Sequence, residues 1–295
     1  MLYTIQNDYL SLQVSSLGAQ MMSLKDKDGT EYLWQGDSAY WEDRAPVLFP
    51  FIARLTKDTY SYQGRIYPMG IHGFAMTSEF ALGEQTDTSI TLVLKDNDKT
   101  REQYPFAFTF RITFALEGQC LKTICQVENR NDAIMPFAIG GHPGFNVPLC
   151  EGEGFEDYVL EFSQPCNPDR IGFTPALYVS GHQSPYLLED GKTISLNHDM
   201  FDGDAIVLKN MAKEVTLRSR VSGKGVRVSY PDMPYVGFWH WPRTDAPYVC
   251  IEPWSSLPSR QDVVEEFTCK SDMIQLAPGG TYRTGWDITV LKGHC

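Results

Sequence analysis

Apolar and polar residues alternate along this chain in short stretches. Leu10, Leu12 and Val14 are interleaved with Ser11 and Gln13, and Ile90, Leu92 and Leu94 stand two apart. Phe106, Phe108, Phe110, Ile112 and Phe114 occupy every second position. The same spacing recurs at Leu121, Thr123, Cys125 and Val127, at Val215 and Leu217, at Val226 and Val228, and at Trp286, Ile288 and Val290. A period of two turns one apolar face to a core, so these runs predict β-strands. Asp28-Gly29, Asn97-Asp98, Asn131-Asp132, Asp190-Gly191 and Pro278-Gly279-Gly280 punctuate them as turns. The only helical expectations are a single turn over Ser38–Asp43 and a short segment over Ser259–Phe267, where a Ser cap precedes acids. Strands from end to end predict an all-β fold, a large sandwich of mainly antiparallel strands.

Composition sets the scale. The chain has 295 residues, 42% apolar and 21% charged, enough for a large core and unlike a disordered chain. A prior of about 150 residues per domain suggests two domains, but β-sandwiches often exceed 200 residues as one. With no repeat or linker visible, residues 1–295 are expected to form one domain. Acids outnumber bases 37 to 25, a net charge of −12. That balance disfavours nucleic acid and anionic membrane surfaces as partners. The longest apolar run, Ala45–Ala53, is broken by Pro46 and Pro50, far short of the roughly 20 residues of a membrane span. The first eight residues lack the basic and apolar regions of a signal peptide, so a cytoplasmic location is expected. Seven cysteines without a Cys-x-x-Cys pair read as reduced thiols, mostly filling the core.

Several chemistries lack their motifs. No Gly-x-Gly-x-x-Gly opens a helix, and Gly191-Lys192-Thr193 has Tyr186 where a phosphate loop needs Gly. There is no Gly-x-Ser-x-Gly elbow. The six histidines show no metal-ligand spacing.

Four segments set polar residues within apolar or Gly/Pro-rich surroundings, where broken local rules tend to mark function. In Pro46–Leu55 an apolar run ends at Arg54, either a strand-end Arg with its head in solvent or a donor to substrate hydroxyls. In Met69–Ala75, His72 lies between Gly70 and Gly73, implying close backbone approach and an exposed imidazole, unless it is a turn His with no role. In Phe137–Asn146, Gly140-Gly141 leave room beside His142, which Pro143 holds extended. In Tyr248–Trp254, Glu252 sits in an apolar strand; desolvation there raises its pKa and makes it a usable base, unless an Arg pairs with it for structure. Phe238-Trp239-His240-Trp241 could stack on a sugar or belong to the core. One Glu, two His, an Arg and several Trp suggest acid–base work on a neutral polyol. A second carboxylate, which most glycosidases need, is not evident.

In combination these motifs resemble the aldose 1-epimerase (galactose mutarotase-like) family, and within it the LacX-like branch. The resemblance covers nearly the whole chain. It rests on Phe49-Pro50-Phe51-Ile52-Ala53-Arg54-Leu55, His72-Gly73-Phe74-Ala75, Gly141-His142-Pro143-Gly144-Phe145-Asn146 and Cys250-Ile251-Glu252-Pro253-Trp254, in that order. It implies a β-supersandwich with a sugar cleft on one curved sheet. It implies Glu252 as general base at the C1 hydroxyl and His142 as general acid at the ring oxygen, with Arg54 and His72 positioning the sugar. The family's hydroxyl-binding Asp falls on Asp204 or Asp202, with Asp204 preferred, and Trp254 is a candidate wall of the sugar site. No metal or other cofactor is implied; the expected partner is a small sugar. Relatives acting on hexose 6-phosphates commonly carry Arg where this chain has Met76, which favours a free aldohexose such as galactose or glucose, although Arg54 or Arg260 could compensate. Galactose-specific relatives have Gly-Gly after the first His, where this chain has Gly73-Phe74. A hexose-6-phosphate 1-epimerase and a non-catalytic carbohydrate-binding protein are the alternatives.

Overall fold

The structure, a computed structural model, describes residues 1–295. The alternating runs form the strands Leu10–Ser15, Ser89–Lys95, Phe108–Glu117, Cys120–Asn129, Glu214–Ser219, Gly225–Ser229 and Thr281–Leu291. Six of these seven lie side by side in a nine-stranded antiparallel sheet. Register keeps the apolar alternates level: Leu121 faces Leu116 on one side and Ile288 on the other, and Ile288 faces Val228. A slip of one residue would turn the whole apolar face to solvent.

The second large sheet has eight strands. Its central path runs Asp169–Phe173, Ile206–Lys209, Tyr235–Trp239, Tyr248–Trp254, Gly140–Gly141 and Val47–Leu48. Gly144–Asn146 also pairs with Tyr248–Trp254. All seven residues of Tyr248–Trp254 are buried, so this strand reads as continuously apolar rather than alternating. One of its faces meets the nine-stranded sheet, the other a cleft. The two sheets meet where Phe162 packs on Phe238 and where Trp286 lies against Gly141. A three-stranded sheet, Leu2–Gln6, Leu10–Ser15 and Met21–Asp26, flanks them. One cluster of 72 buried apolar residues joins these layers, and a cluster of five (Trp34, Trp239, Ala246, Tyr248, Cys250) lies on the cleft side.

Three sequence expectations are corrected. Ser259–Phe267 is not helical but turns and irregular chain, while Ser38–Asp43 holds the single turn expected, with Trp41 N–H donating to Asp37 O at 2.9 Å. The α-helix is Asp98–Gln103, at the supposed Asn97-Asp98 turn. There the Asn97 side chain accepts from Thr100 N–H, while Thr100 Oγ1 accepts from Asn97 N–H. This reciprocal cap recruits the same residue types a turn does. The thiols are not mostly core fillers. Cys150 and Cys295, 145 residues apart, form a disulfide, and only Cys125 and Cys250 of the free five are buried. A pairing over that distance has no local spacing to betray it. No helix is long and apolar enough to cross a membrane.

Candidate active site

Glu252 is placed by its strand. Tyr248, Cys250, Glu252 and Trp254 alternate with Val249 and Ile251, whose side chains belong to the main core. Opposite Glu252 stands Gly237, and a Cβ there would come within 3.4 Å of the Glu252 side chain. The carboxyl is 1% exposed, with no Arg or Lys in contact; its charged-pair partner is His142, whose Nε2 lies 3.2 Å from Glu252 Oε2. The reading of Glu252 as half of a structural Arg pair is thereby set aside.

His142 is held from the backbone. Its N–H donates to Pro46 O at 3.0 Å, and the preceding Gly140 and Gly141 pair with Leu48 and Val47. Those glycines do not leave room for a ligand, as expected from sequence. A Cβ on Gly141 would stand 2.5 Å from the Trp286 indole, and one on Gly140 2.7 Å from Pro253 O. They let the strand seat itself on its neighbours. The His142 ring is boxed by Trp41 (centroids 4.8 Å apart), Trp239 (5.5 Å) and His72 (5.5 Å).

His72 sits at φ 63 in a turn whose next residue, Gly73, would carry a Cβ 2.4 Å from Phe49 O. The close approach expected of Gly73 is therefore real, whereas the imidazole is half-buried rather than exposed as expected. Ala53 N–H donates to His72 Nδ1 at 3.1 Å, and His72 N–H returns a bond to Ala53 O at 3.0 Å. Nδ1 thus accepts, which leaves Nε2 as the N–H of the neutral ring. Desolvation, with the neighbouring Arg54 charge adding to it, lowers the His72 pKa to about 4.

The cleft over these residues has a volume of about 1180 Å³. Arg54, His72, His142, Asp204, Glu252 and Trp254 all line it, so the structure brings these six sequence candidates together. Asp202 lines it too. Asp204 is half-buried, at φ 78, with Oδ1 accepting from Ala205 N–H at 2.7 Å, whereas Asp202 is exposed. Burial first, and then the charge of Asp204, push the Glu252 carboxyl well above the usual carboxylate range. Burial, with His72 adding to it, pushes the His142 imidazole well below its ordinary value. Both therefore favour the uncharged form.

Three buried polar atoms here have no hydrogen-bond partner: Glu252 Oε2, His142 Nδ1 and Trp254 Nε1. Buried polar groups are nearly always satisfied, so such a group needs an explanation, and a ligand is one. The arrangement offers a proton donor and a proton acceptor side by side, in a cleft walled by Trp41, Trp239 and Trp254.

Sequence reasoning missed Trp41, Arg170 and Arg243, which also line the cleft. Trp41 lay in the expected single turn. The aromatic cluster at 238–241 divides: Trp239 and Trp241 line the cleft, while His240 is fully buried against His198. Arg260 does not line the cleft; its guanidinium is 3.1 Å from Glu265, which removes it as a compensating phosphate partner.

Residues 1–285 match the family model described as aldose 1-epimerase. The chain is 38% identical over 297 residues to the chromosomal protein LacX of Lactococcus lactis subsp. lactis, covering 98% of this chain and 99% of that one. The plasmid form of LacX matches equally, at 38% identity and the same coverage. Among solved structures, a galactose mutarotase related enzyme from Lactobacillus acidophilus superposes with a TM-score of 0.94 at 34% identity, over 100% of both chains. A galactose mutarotase-like protein from Lactobacillus casei ATCC 334 gives 0.92 at 29% identity, over 99% and 100% of the two chains. With the fold, the four motifs and these whole-length similarities in agreement, the chain belongs to the aldose 1-epimerase family.

Proposed function

We propose that this protein interconverts the α and β anomers of a free aldohexose, such as galactose or glucose, by acid–base catalysed ring opening. The observation that carries the reading is the 3.2 Å contact of His142 Nε2 with Glu252 Oε2 on the wall of a cleft, with Glu252 Oε2 and His142 Nδ1 unpaired in hydrogen bonds. Glu252 takes the proton of the C1 hydroxyl as the C1–O5 bond breaks and the C1 carbonyl forms. His142 gives its proton to O5. Rotation about C1–C2 and closure on the other face reverse both transfers, so each residue ends in the state in which it began.

The roles require the carboxylate–imidazolium form, whereas burial favours the neutral pair. The difference is one proton moved within the pair, not one gained from solvent. Sugar hydroxyls donating to the carboxylate supply the stabilisation that moves it. His72 Nε2–H and the Arg54 guanidinium, which line the same cleft, are the donors to sugar oxygens in this reading. Asp204 is the acceptor for a ring hydroxyl, and Trp254 offers an apolar face and an unpaired indole N–H.

Polarimetry or anomer-exchange NMR on freshly dissolved α-D-galactose and α-D-glucose tests the reading. An unchanged spontaneous rate across a panel of aldoses, with sugar binding seen by calorimetry, would replace it with a carbohydrate-binding role. One observation favours a second substrate class. Arg54, Arg170 and Arg243 all line the cleft and none is in an ion pair, although Met76 stands where phosphate-handling relatives place Arg. Competition between a free hexose and its 6-phosphate separates the two.

A further inference from the structure

Beneath the His142–Glu252 pair lies a side chain that the proton transfers do not use. Cys250 is two residues before Glu252 on the same strand, so the two side chains project to the same face. An imidazole nitrogen of His142, the Cys250 Sγ and a Glu252 carboxylate oxygen all lie within 4.8 Å of one another. Cys250 is fully buried and is a free thiol, while His142 and Glu252 open onto the cleft. From this geometry we propose that His142, Cys250 and Glu252 form a binding site for a thiophilic divalent cation such as Zn²⁺, which enters from the cleft and blocks the site.

The donor set fits the ion. Thiolate, imidazole and carboxylate are the three ligand types that Zn²⁺ takes, and a catalytic-type site has three protein ligands and one open position. A triangle of donors no wider than 4.8 Å has a centre within about 2.8 Å of each corner. Zinc–ligand bonds of roughly 2.0–2.3 Å then need each side chain to close in by about half an ångström. The fourth position faces the cleft, where water completes the tetrahedron. Glu252 Oε2 and His142 Nδ1 make no hydrogen bond in the protein, so at these two side chains the ion displaces only the 3.2 Å contact between His142 Nε2 and Glu252 Oε2.

Charge favours the ion as well. A dication held by one thiolate, one carboxylate and one neutral imidazole is neutral as a whole. The pocket, which disfavours net charge on any of these groups alone, accommodates that complex. Binding releases the thiol proton and the proton of the His142–Glu252 pair. The shared proton is the one the proposed anomer exchange moves, so a metal-loaded site cannot perform that exchange. The cation is an inhibitor here and no part of the reaction.

Cd²⁺ titration followed by the ultraviolet cadmium–thiolate band tests binding without reference to activity. One equivalent is expected to produce the band in the wild-type protein and in Cys269→Ser, which removes the exposed free thiol. Cys250→Ser should abolish it, and His142→Ala should weaken binding by at least roughly tenfold. In parallel, Zn²⁺ should suppress anomer exchange in the wild type, with recovery on adding EDTA. Cys250→Ser should keep its exchange activity and lose most of its Zn²⁺ sensitivity. No band, or a band that survives Cys250→Ser, overturns the site. The absence of anomer exchange in metal-free protein overturns only the functional reading, because the cadmium band reports the site independently.

Discussion

Two contacts between buried or half-buried titratable side chains stand at 3.2 Å. In one, His142 Nε2 meets Glu252 Oε2; in the other, His198 Nδ1 meets His240 Nε2. Burial acts on both in the same way and pushes all three imidazoles below their ordinary value. Their surroundings differ. His240 Nδ1–H donates to Trp241 O at 2.8 Å, which leaves its Nε2 to accept from His198 Nδ1–H, and Phe155 stacks on the His198 ring at 3.9 Å. Every buried nitrogen in that pair has an assigned task. In the His142–Glu252 pair, Oε2 and Nδ1 have none, and a cleft opens over them. Distance and burial alone do not separate chemistry from architecture; unsatisfied polar atoms at a cavity wall do.

The sharpest way to break the contrast is to remove proton transfer from one pair and packing from the other. Glu252→Gln keeps the shape and loses the proposed base. Anomer exchange followed by polarimetry should fall by about 10²–10⁴-fold. Stability to urea at neutral pH should not fall, because a carboxyl whose pKa is raised on folding opposes folding there and the neutral amide does not. His240→Ala should do the reverse. It leaves a cavity and unpairs the Trp241 carbonyl and the His198 N–H, costing roughly 2–4 kcal/mol in urea unfolding. The rate per folded molecule should change far less than in Glu252→Gln. If His240→Ala loses rate as steeply as Glu252→Gln does, the contrast fails.

Acidification sharpens the same comparison. His72 has a folded pKa of about 4, below the ordinary imidazole value, so between those values the unfolded chain binds a proton that the folded one does not. Its stability contribution is complete above about pH 6.5 and is lost as pH falls toward about 4. Roughly 2–3 kcal/mol should disappear over that window, and His72→Gln should make this limb of the urea-midpoint profile shallower, the remainder coming from His142, His198 and His240, whose pKa values burial also lowers. The rate profile should behave differently. The pair must keep one shared proton, so activity falls only where a second is added, below the ordinary imidazole range, or the first is lost, above the ordinary carboxylate range. A broad plateau across neutrality in kcat is the expected result.

How much of this could be read from the chain follows from what each feature depends on. The nine-stranded sheet was legible because one of its faces is buried, and a single wet face imposes the period of two seen from Phe108 to Phe114. The strand carrying Glu252 is buried on both faces, so periodicity is silent there; the lone carboxylate in an apolar run and the family motif gave it away. His142, His72 and Arg54 were legible from broken local rules. Trp41, Arg170 and Arg243 were not, because they reach the cleft through chain folding that leaves no mark on neighbouring residues. The Gly140-Gly141 reading erred in an instructive way. A glycine pair signals that something approaches, but not whether that something is a ligand or, as here, Trp286 and the Pro253 carbonyl. The Asn97 cap erred likewise, because Asn serves turns and helix starts by the same hydrogen bond.

The smallest predicted effect separates the two aspartates that sequence left tied. Asp202 and Asp204 are two residues apart and both line the cleft, but Asp204 is the one whose charge acts on Glu252. That charge raises the proton affinity of the base, so neutralising it lowers the Glu252 pKa toward the ordinary carboxylate value. Asp204→Asn should move the alkaline limb of the pH–rate profile to lower pH and raise KM several-fold through loss of an acceptor for a sugar hydroxyl, a change of about 1 kcal/mol. Asp202→Asn should leave both the limb and KM near wild type, since its side chain is exposed beside a short 3₁₀ turn. The two variants change net charge identically, so any general electrostatic effect on the cleft cancels between them, and what remains reports the half-buried carboxylate alone. Equal shifts in both would mean that the field at Glu252 comes from the acidic cleft as a whole, and Asp204 would lose its place as a specific contact.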